Sequence, residues 1–259
     1  MKRLFQLAIA ASLALAANSC ASLNTEYLLA GGLQALQAAT LSDAQVQAYV
    51  HEYITQLDAQ SKVLPESNAY TKRLRRLTTG LTEVGGVPLN FKVYNTKEVN
   101  AFACADGSVR VYTGLMDLMN DNEIIGVIGH EIGHVALKHT RKEMQTAMLT
   151  SAAMTSISAA GETVASLTQS QLGAIGEAIL NAQYSKKQES AADDYAYKFL
   201  VEAKKNPVCL MQGLQKLQSL EQSSGQTSGL VSKLFSSHPD TEARIQRVQS
   251  RLVADGFMK

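Results

Sequence analysis

Residues 120–136 read NDNEIIGVIGHEIGHVA, and this stretch decides the reading of the chain. Asn120 with Glu123 three positions later forms a capping-box start for a helix, and Ile124, Ile125, Val127 and Ile128 carry it forward as an apolar segment. On such a helix His130 and His134 stand at i and i+4, one turn apart on one face, so both imidazoles can reach a single metal ion. Glu131 lies about 100° further round and is better placed for a water on that ion than for the ion itself. Gly126, Gly129 and Gly133 each cost a helix about 1 kcal/mol relative to alanine, so their presence implies that other elements pack close to it. A polar helix face with two solvated histidines would not need so apolar a surround.

The pattern His130-Glu131-Ile132-Gly133-His134 is an HExxH motif, and two neutral imidazoles plus one carboxylate suit a catalytic zinc with an open position. A third ligand is required. His139 follows His134 by five residues, which on a continued helix points it well away from the ligand face and leaves it a supporting or surface residue. Leu137 and Thr140 also stand where the longer HExxHxxGxxH pattern needs glycine and histidine. Glu189 is the better candidate. It opens Glu189-Ser190-Ala191-Ala192-Asp193, in which Glu189 and Asp193 share one helical face. One can bind the metal while the other accepts the outer N–H of a ligand histidine. Taken alone, such a pair is an ordinary solvated acidic face.

Outward from this motif, residues 41–60 predict a helix capped by Ser42 or Asp43, and residues 67–80 a second. The LNFKVY that follows Pro88 alternates as a strand, and VNAFACADGSVRVY predicts two strands joined at Asp106-Gly107, a two-residue hairpin signal. From Leu115 onward the sequence reads almost wholly helical. The expectation is therefore an α+β fold, mostly helical, with a small antiparallel β-sheet. Residues 144–161 carry no charge, but seven of the eighteen are Ser, Thr or Gln, too polar for a membrane span. A helix packed on the protein or a cover over a cleft fits them better, and Glu221 to Gly229 reads as a loop.

Composition excludes several function classes. The chain has 259 residues with 24 Lys+Arg against 23 Asp+Glu, a net charge of +1, so no basic footprint marks a nucleic-acid groove. Aromatics are 6% and tryptophan is absent, which disfavours a base- or sugar-stacking platform. Residues 1–19 read as a signal peptide of the lipoprotein type: Lys2 and Arg3 precede an apolar stretch from Leu4 to Ala17, too short to span a bilayer. Ala17-Asn18-Ser19-Cys20 resembles a lipobox, which would make Cys20 the lipid anchor and residues 20–259 the mature domain. A cut after Ala16 would instead release a soluble protein. With lipid on Cys20, Cys104 and Cys209 remain, able to pair in an oxidising compartment or to sit as two separate buried thiols.

The HEIGH and ESAAD segments, together with Ser237-His238-Pro239, Asn100-Ala101-Phe102-Ala103 and Val111-Tyr112-Thr113-Gly114-Leu115, resemble peptidase family M48 over roughly residues 40–257. The resemblance implies a zincin-like (gluzincin) core in which His130, His134 and Glu189 bind one Zn2+, Glu131 is the catalytic base and Asp193 supports the site. It also makes His238 a candidate donor to the oxyanion, with Arg244 supporting from the helix that Pro239 would start. Asn100 to Ala103 become the edge strand to which substrate adds. The expected function is a zinc endopeptidase of the bacterial cell envelope acting on unfolded or misassembled envelope proteins. It would be lipid-anchored at the outer membrane facing the periplasm, in contact with other envelope proteases or assembly machinery. A zinc-stabilised chaperone and an amidase of wall peptides are the alternatives, and an intact Glu131 argues against the first.

Overall fold

The computed structural model describes residues 42–143, 176, 182–223 and 237–259. Residues 1–19, expected to be a signal peptide, Cys20 and the uncharged segment 144–161 lie outside them. Helix α1 (Asp43–Gln60) starts at the Ser42 capping box with Gln45 and buries Val46, Tyr49, Val50 and Ile54, the stripe expected from its spacing. Helix α2 (Ala69–Leu77), capped by Asn68, is shorter than the 67–80 predicted. A small hairpin, β1 (Glu83–Val84) with β2 (Val87–Pro88), was not foreseen.

The main sheet consists of β3 (Asn90–Tyr94), β4 (Ala101–Ala103) and β5 (Ser108–Tyr112) in the order β3-β5-β4. It is mixed: the expected antiparallel pairing is there, and one parallel pair is added to it. Strand β3 runs parallel to β5 in the register Asn90↔Ser108 to Tyr94↔Tyr112, and only β4 is antiparallel to β5. The turn between β4 and β5 is also wider than two residues. Gly107 N donates to Cys104 O, and Cys104 N donates to Ser108 O, so Ala105, Asp106 and Gly107 together make the loop. Gly107 has φ +84, and a Cβ there would meet Pro88 O at 1.9 Å, so only glycine fits.

Helix α3 (Thr113–Leu118) leads into α4 (Asp121–Ala136), the metal-motif helix, whose Asn120–Glu123 capping box is present as predicted. Arg73 of α2 fixes this junction, donating to Met116 O, Met119 O and Asp121 Oδ1 at 2.6–2.8 Å. Helices α5 (Lys186–Glu202), α6 (Val208–Ser223) and α7 (Thr241–Ala254) complete the described chain. Helix α6 runs into the start of the expected Glu221–Gly229 loop, and α7 is capped by Asp240 rather than begun at Pro239.

Helix α4 is central, covered by β4, α5 and α6, and Ile124, Ile128, Leu200 and Leu252 are fully buried around it. Its glycines explain the close approach. A Cβ on Gly129 would stand 2.9 Å from Phe199 Cδ1, and one on Gly133 would stand 3.1 Å from Tyr195 Cβ and 3.2 Å from Ala192 O. The helix therefore gives up propensity so that α5, which carries Glu189, can lie against it. Arg110 of β5 is buried and joins the sheet to α1 through Asp58.

Candidate active site and metal centre

His130 and His134 project from α4, Glu189 from the first turn of α5, and His238 from the segment before α7. All four are buried, and one donor atom from each lies within 4.8 Å of the others. His130 Nε2 and His134 Nε2 are 3.0 Å apart, with Glu189 Oε1 3.3 Å from His134 Nε2 and Glu189 Oε2 3.5 Å from His130 Nε2. His238 Nδ1 is 3.1 Å from Glu189 Oε1. Local sequence explains the placement: Ser185 caps α5 through Gln188, and this sets Glu189 and Asp193 one turn apart on the face toward α4.

The donor set fits a metal ion. The outer nitrogen of His130, Nδ1, is 2.9 Å from Asp193 Oδ1, an acceptor that holds the imidazole proton on that side. Its Nε2 then carries a lone pair that points at another imidazole nitrogen 3.0 Å away. Burial also pushes His134 well below the usual imidazole range, so it is neutral. Glu189 Oε2 is buried without a hydrogen-bond partner, although Arg244 Nη1 forms an ion pair with it at 2.6 Å. Imidazole lone pairs converging beside a buried carboxylate are what a cation would satisfy.

The supporting shell is built around Arg244. Its Nε and Nη2 donate to the two oxygens of Asp193 at 2.8 and 2.7 Å, while Nη1 faces Glu189. Burial alone would raise both carboxyls. The charge of Arg244 outweighs it at Asp193, and the surrounding imidazoles, His238 foremost, outweigh it at Glu189, so both are held below the ordinary range. Glu131 differs. It is buried with His238 Nε2 3.5 Å from Oε1, and desolvation raises its carboxyl despite the pull of His238 and His130.

All the site residues expected on the described chain converge here except the cysteine pair. Cys104 and Cys209 are free, buried thiols, the second of the two arrangements that the sequence left open. Cys104 directly follows β4, whereas Cys209 packs over Gly126 from the start of α6, so each fills its own gap in the core. Of the expected edge strand, Ala101 to Ala103 form β4 at the sheet edge and Asn100 precedes it, and all four line a cleft shared with Glu131, Tyr184 and His238. Tyr112 N donates to Asn100 O, and Cys104 N to Ser108 O. By antiparallel alternation the backbone groups of Ala101 and Ala103 therefore face away from β5.

Three features escaped sequence reasoning. Tyr184 lies over the His134 ring at 3.8 Å between centroids, and only its place just before the Ser185 cap could have drawn notice. His139 does not point away: its Nδ1 is 3.2 Å from His134 Nδ1. Finally, an apolar cleft between α4, α6 and α7, walled by Val127, Leu210, Leu214 and Leu217, opens onto Glu131 and His238.

The family model of peptidase family M48 matches residues 68–252. The chain belongs to that family. It is 42% identical to Metalloprotease LoiP of Escherichia coli K12 over 97% of this chain and 98% of that one. It is 39% identical to Metalloprotease YcaL of the same organism, covering 98% of each. The beta-barrel assembly-enhancing protease of Yersinia pestis is 26% identical over 82% of this chain and 45% of its own length. This M48 chain is accordingly a metallopeptidase, and the buried cluster could hold the metal that the family implies. Among the described residues, no helix is long and apolar enough to cross a membrane.

Proposed function

We propose that the protein is a zinc endopeptidase of the bacterial cell envelope that cuts unfolded or misassembled envelope proteins, held at the periplasmic face of the outer membrane by lipid on Cys20. The observation that carries the reading is Glu131, a buried carboxylate set beside a cluster of three imidazoles and Glu189. A site that only stabilised a fold would need no free base there, which disfavours the chaperone alternative.

His130, His134 and Glu189 would hold the zinc, which when bound activates a water and polarises the scissile carbonyl. Glu131 takes the proton of the attacking water and passes it to the leaving amine. A carboxyl raised by burial binds that proton more firmly than an exposed one, which suits it to the task. His238, beside both Glu131 and Glu189, donates to the carbonyl oxygen as negative charge develops there. Asp193 and Arg244 hold His130 and Glu189 in position.

Preference for unfolded chains follows from two clefts. The outward backbone groups of Ala101 and Ala103 can pair only with an extended segment, so a folded substrate is excluded. The apolar cleft beside Glu131 accepts a large apolar side chain of the kind that folded proteins bury. The envelope placement draws on the lipobox-like Cys20 and on the similarity to the beta-barrel assembly-enhancing protease. Glu131→Gln tests the chemistry: it should keep about one zinc per chain and lose cleavage of an unfolded casein, and cleavage at the wild-type rate would overturn the assignment. A Glu131→Gln strain of the native host should accumulate unfolded envelope proteins. A Cys20→Ser chain that still fractionates with the outer membrane would refute the anchor.

A further inference from the structure

We propose that His139 is a positioning residue that accepts the Nδ1–H of His134 and thereby fixes the tautomer in which His134 Nε2 is free for the metal. The inference rests on the metal reading above and goes beyond it by assigning the partner of the second motif histidine.

The two ligand histidines are not equivalent. His130 has a carboxylate on its outer nitrogen, Asp193 at 2.9 Å. For His134 the contact at Nδ1 is another imidazole, His139 Nδ1 at 3.2 Å, with ring centroids 5.1 Å apart and planes at 68°. A contact between two neutral imidazoles holds one proton. If His139 donates it, the proton of His134 must sit on Nε2, facing Glu189 and blocking the donor cluster. If His134 donates, Nε2 presents its lone pair to the cluster and His139 keeps its own proton on Nε2. Only the second arrangement leaves His134 able to bind a cation, and His139 supplies the acceptor that makes it possible.

Backbone geometry brings His139 into place. On a continued helix, five residues carry a side chain about 140° beyond His134. The helix instead ends at Ala136, capped by Leu137. Lys138 then adopts φ +58, and its N–H donates to Val135 O at 3.0 Å, so the chain folds back and delivers the imidazole of His139 to the outer edge of His134. A non-glycine residue pays for a left-handed conformation, and the return of His139 is what the conformation achieves here. Tyr184 covers a face of the His134 ring at 3.8 Å, leaving His134 fully buried and held by its two edges.

The test compares His139→Asn, whose side-chain oxygen can replace the acceptor, with His139→Leu, which fills the space without one. Zinc affinity of the full chain is measured by competition with a chelator of known affinity, and thermal unfolding of the metal-free forms is followed alongside. The expected result is a roughly 10–100-fold loss of zinc affinity in His139→Leu, recovery of most of it in His139→Asn, and metal-free melting temperatures alike in both. Wild-type affinity in His139→Leu, or equal losses in Leu and Asn, would overturn the inference. His134→Ala separates the two levels. If it loses zinc while His139→Leu does not, the inference alone fails; if it binds zinc like wild type, the ligand reading fails and takes the inference with it.

Discussion

Asp58→Ala should destabilise the protein by about 3 kcal/mol at neutral pH, and the loss should shrink in acid. Asp58 accepts from Arg110 Nε and Nη2 at 2.8 and 2.9 Å, from Tyr94 Oη at 2.6 Å and from Lys92 Nζ at 2.8 Å. Its removal strands Arg110, whose side chain is 2% exposed and cannot shed its charge. Breaking a buried pair from one side costs about 3–5 kcal/mol. The lower end applies because Asp58 keeps 12% exposure and Arg110 retains its bonds to Asn90 O and Val109 O. Lys92, 40% exposed, adds less than about 1 kcal/mol.

For a chain of this size about 3 kcal/mol corresponds to a drop of roughly 6–12 °C in Tm. Desolvation pushes the Asp58 carboxyl up, but the hydrogen bonds from Arg110, Lys92 and Tyr94 win and hold it below its ordinary value. A depressed carboxyl contributes stability above its unfolded pKa, about 3.9, and loses it as pH falls through the folded value. Urea unfolding of metal-free wild type and variant should therefore show the full gap at pH 7 and 5 and a narrowing gap below about pH 4. A gap under 1 kcal/mol at pH 7, or one that widens in acid, would refute the argument.

Ala101→Pro removes an outward N–H of β4 and should lower kcat/KM on an unfolded substrate at least tenfold with zinc content unchanged, as steady-state kinetics would show. Leu214→Ala widens the apolar cleft and should shift cleavage of a peptide library toward bulkier side chains beside the scissile bond; an unchanged profile would remove the cleft from specificity. His238→Ala should lower kcat by roughly 10²–10³; a rise in basal cleavage would instead show that His238 holds the site closed. Gly133→Val forces a side chain against Tyr195 and Ala192 O and should cost about 1–3 kcal/mol in denaturant unfolding.

What the sequence determined by itself was local. A 3.6-residue repeat places His130 over His134, a capping box fixes where α4 starts, and the same rules put Glu189 and Asp193 on one face of α5. Side-chain periodicity along a helix needs no partner to be read, so the chemistry of the site was legible before its shape. Tertiary structure decided whatever depends on how one segment meets another. Strand composition does not encode direction of pairing, so the parallel β3–β5 register emerged only from the packed sheet. Cysteine count does not encode distance, and the two thiols fill separate gaps. His139 shows the boundary most sharply. Its angular position follows from helical arithmetic only while the helix lasts, and one left-handed residue, Lys138, turns an outward side chain into the partner of His134.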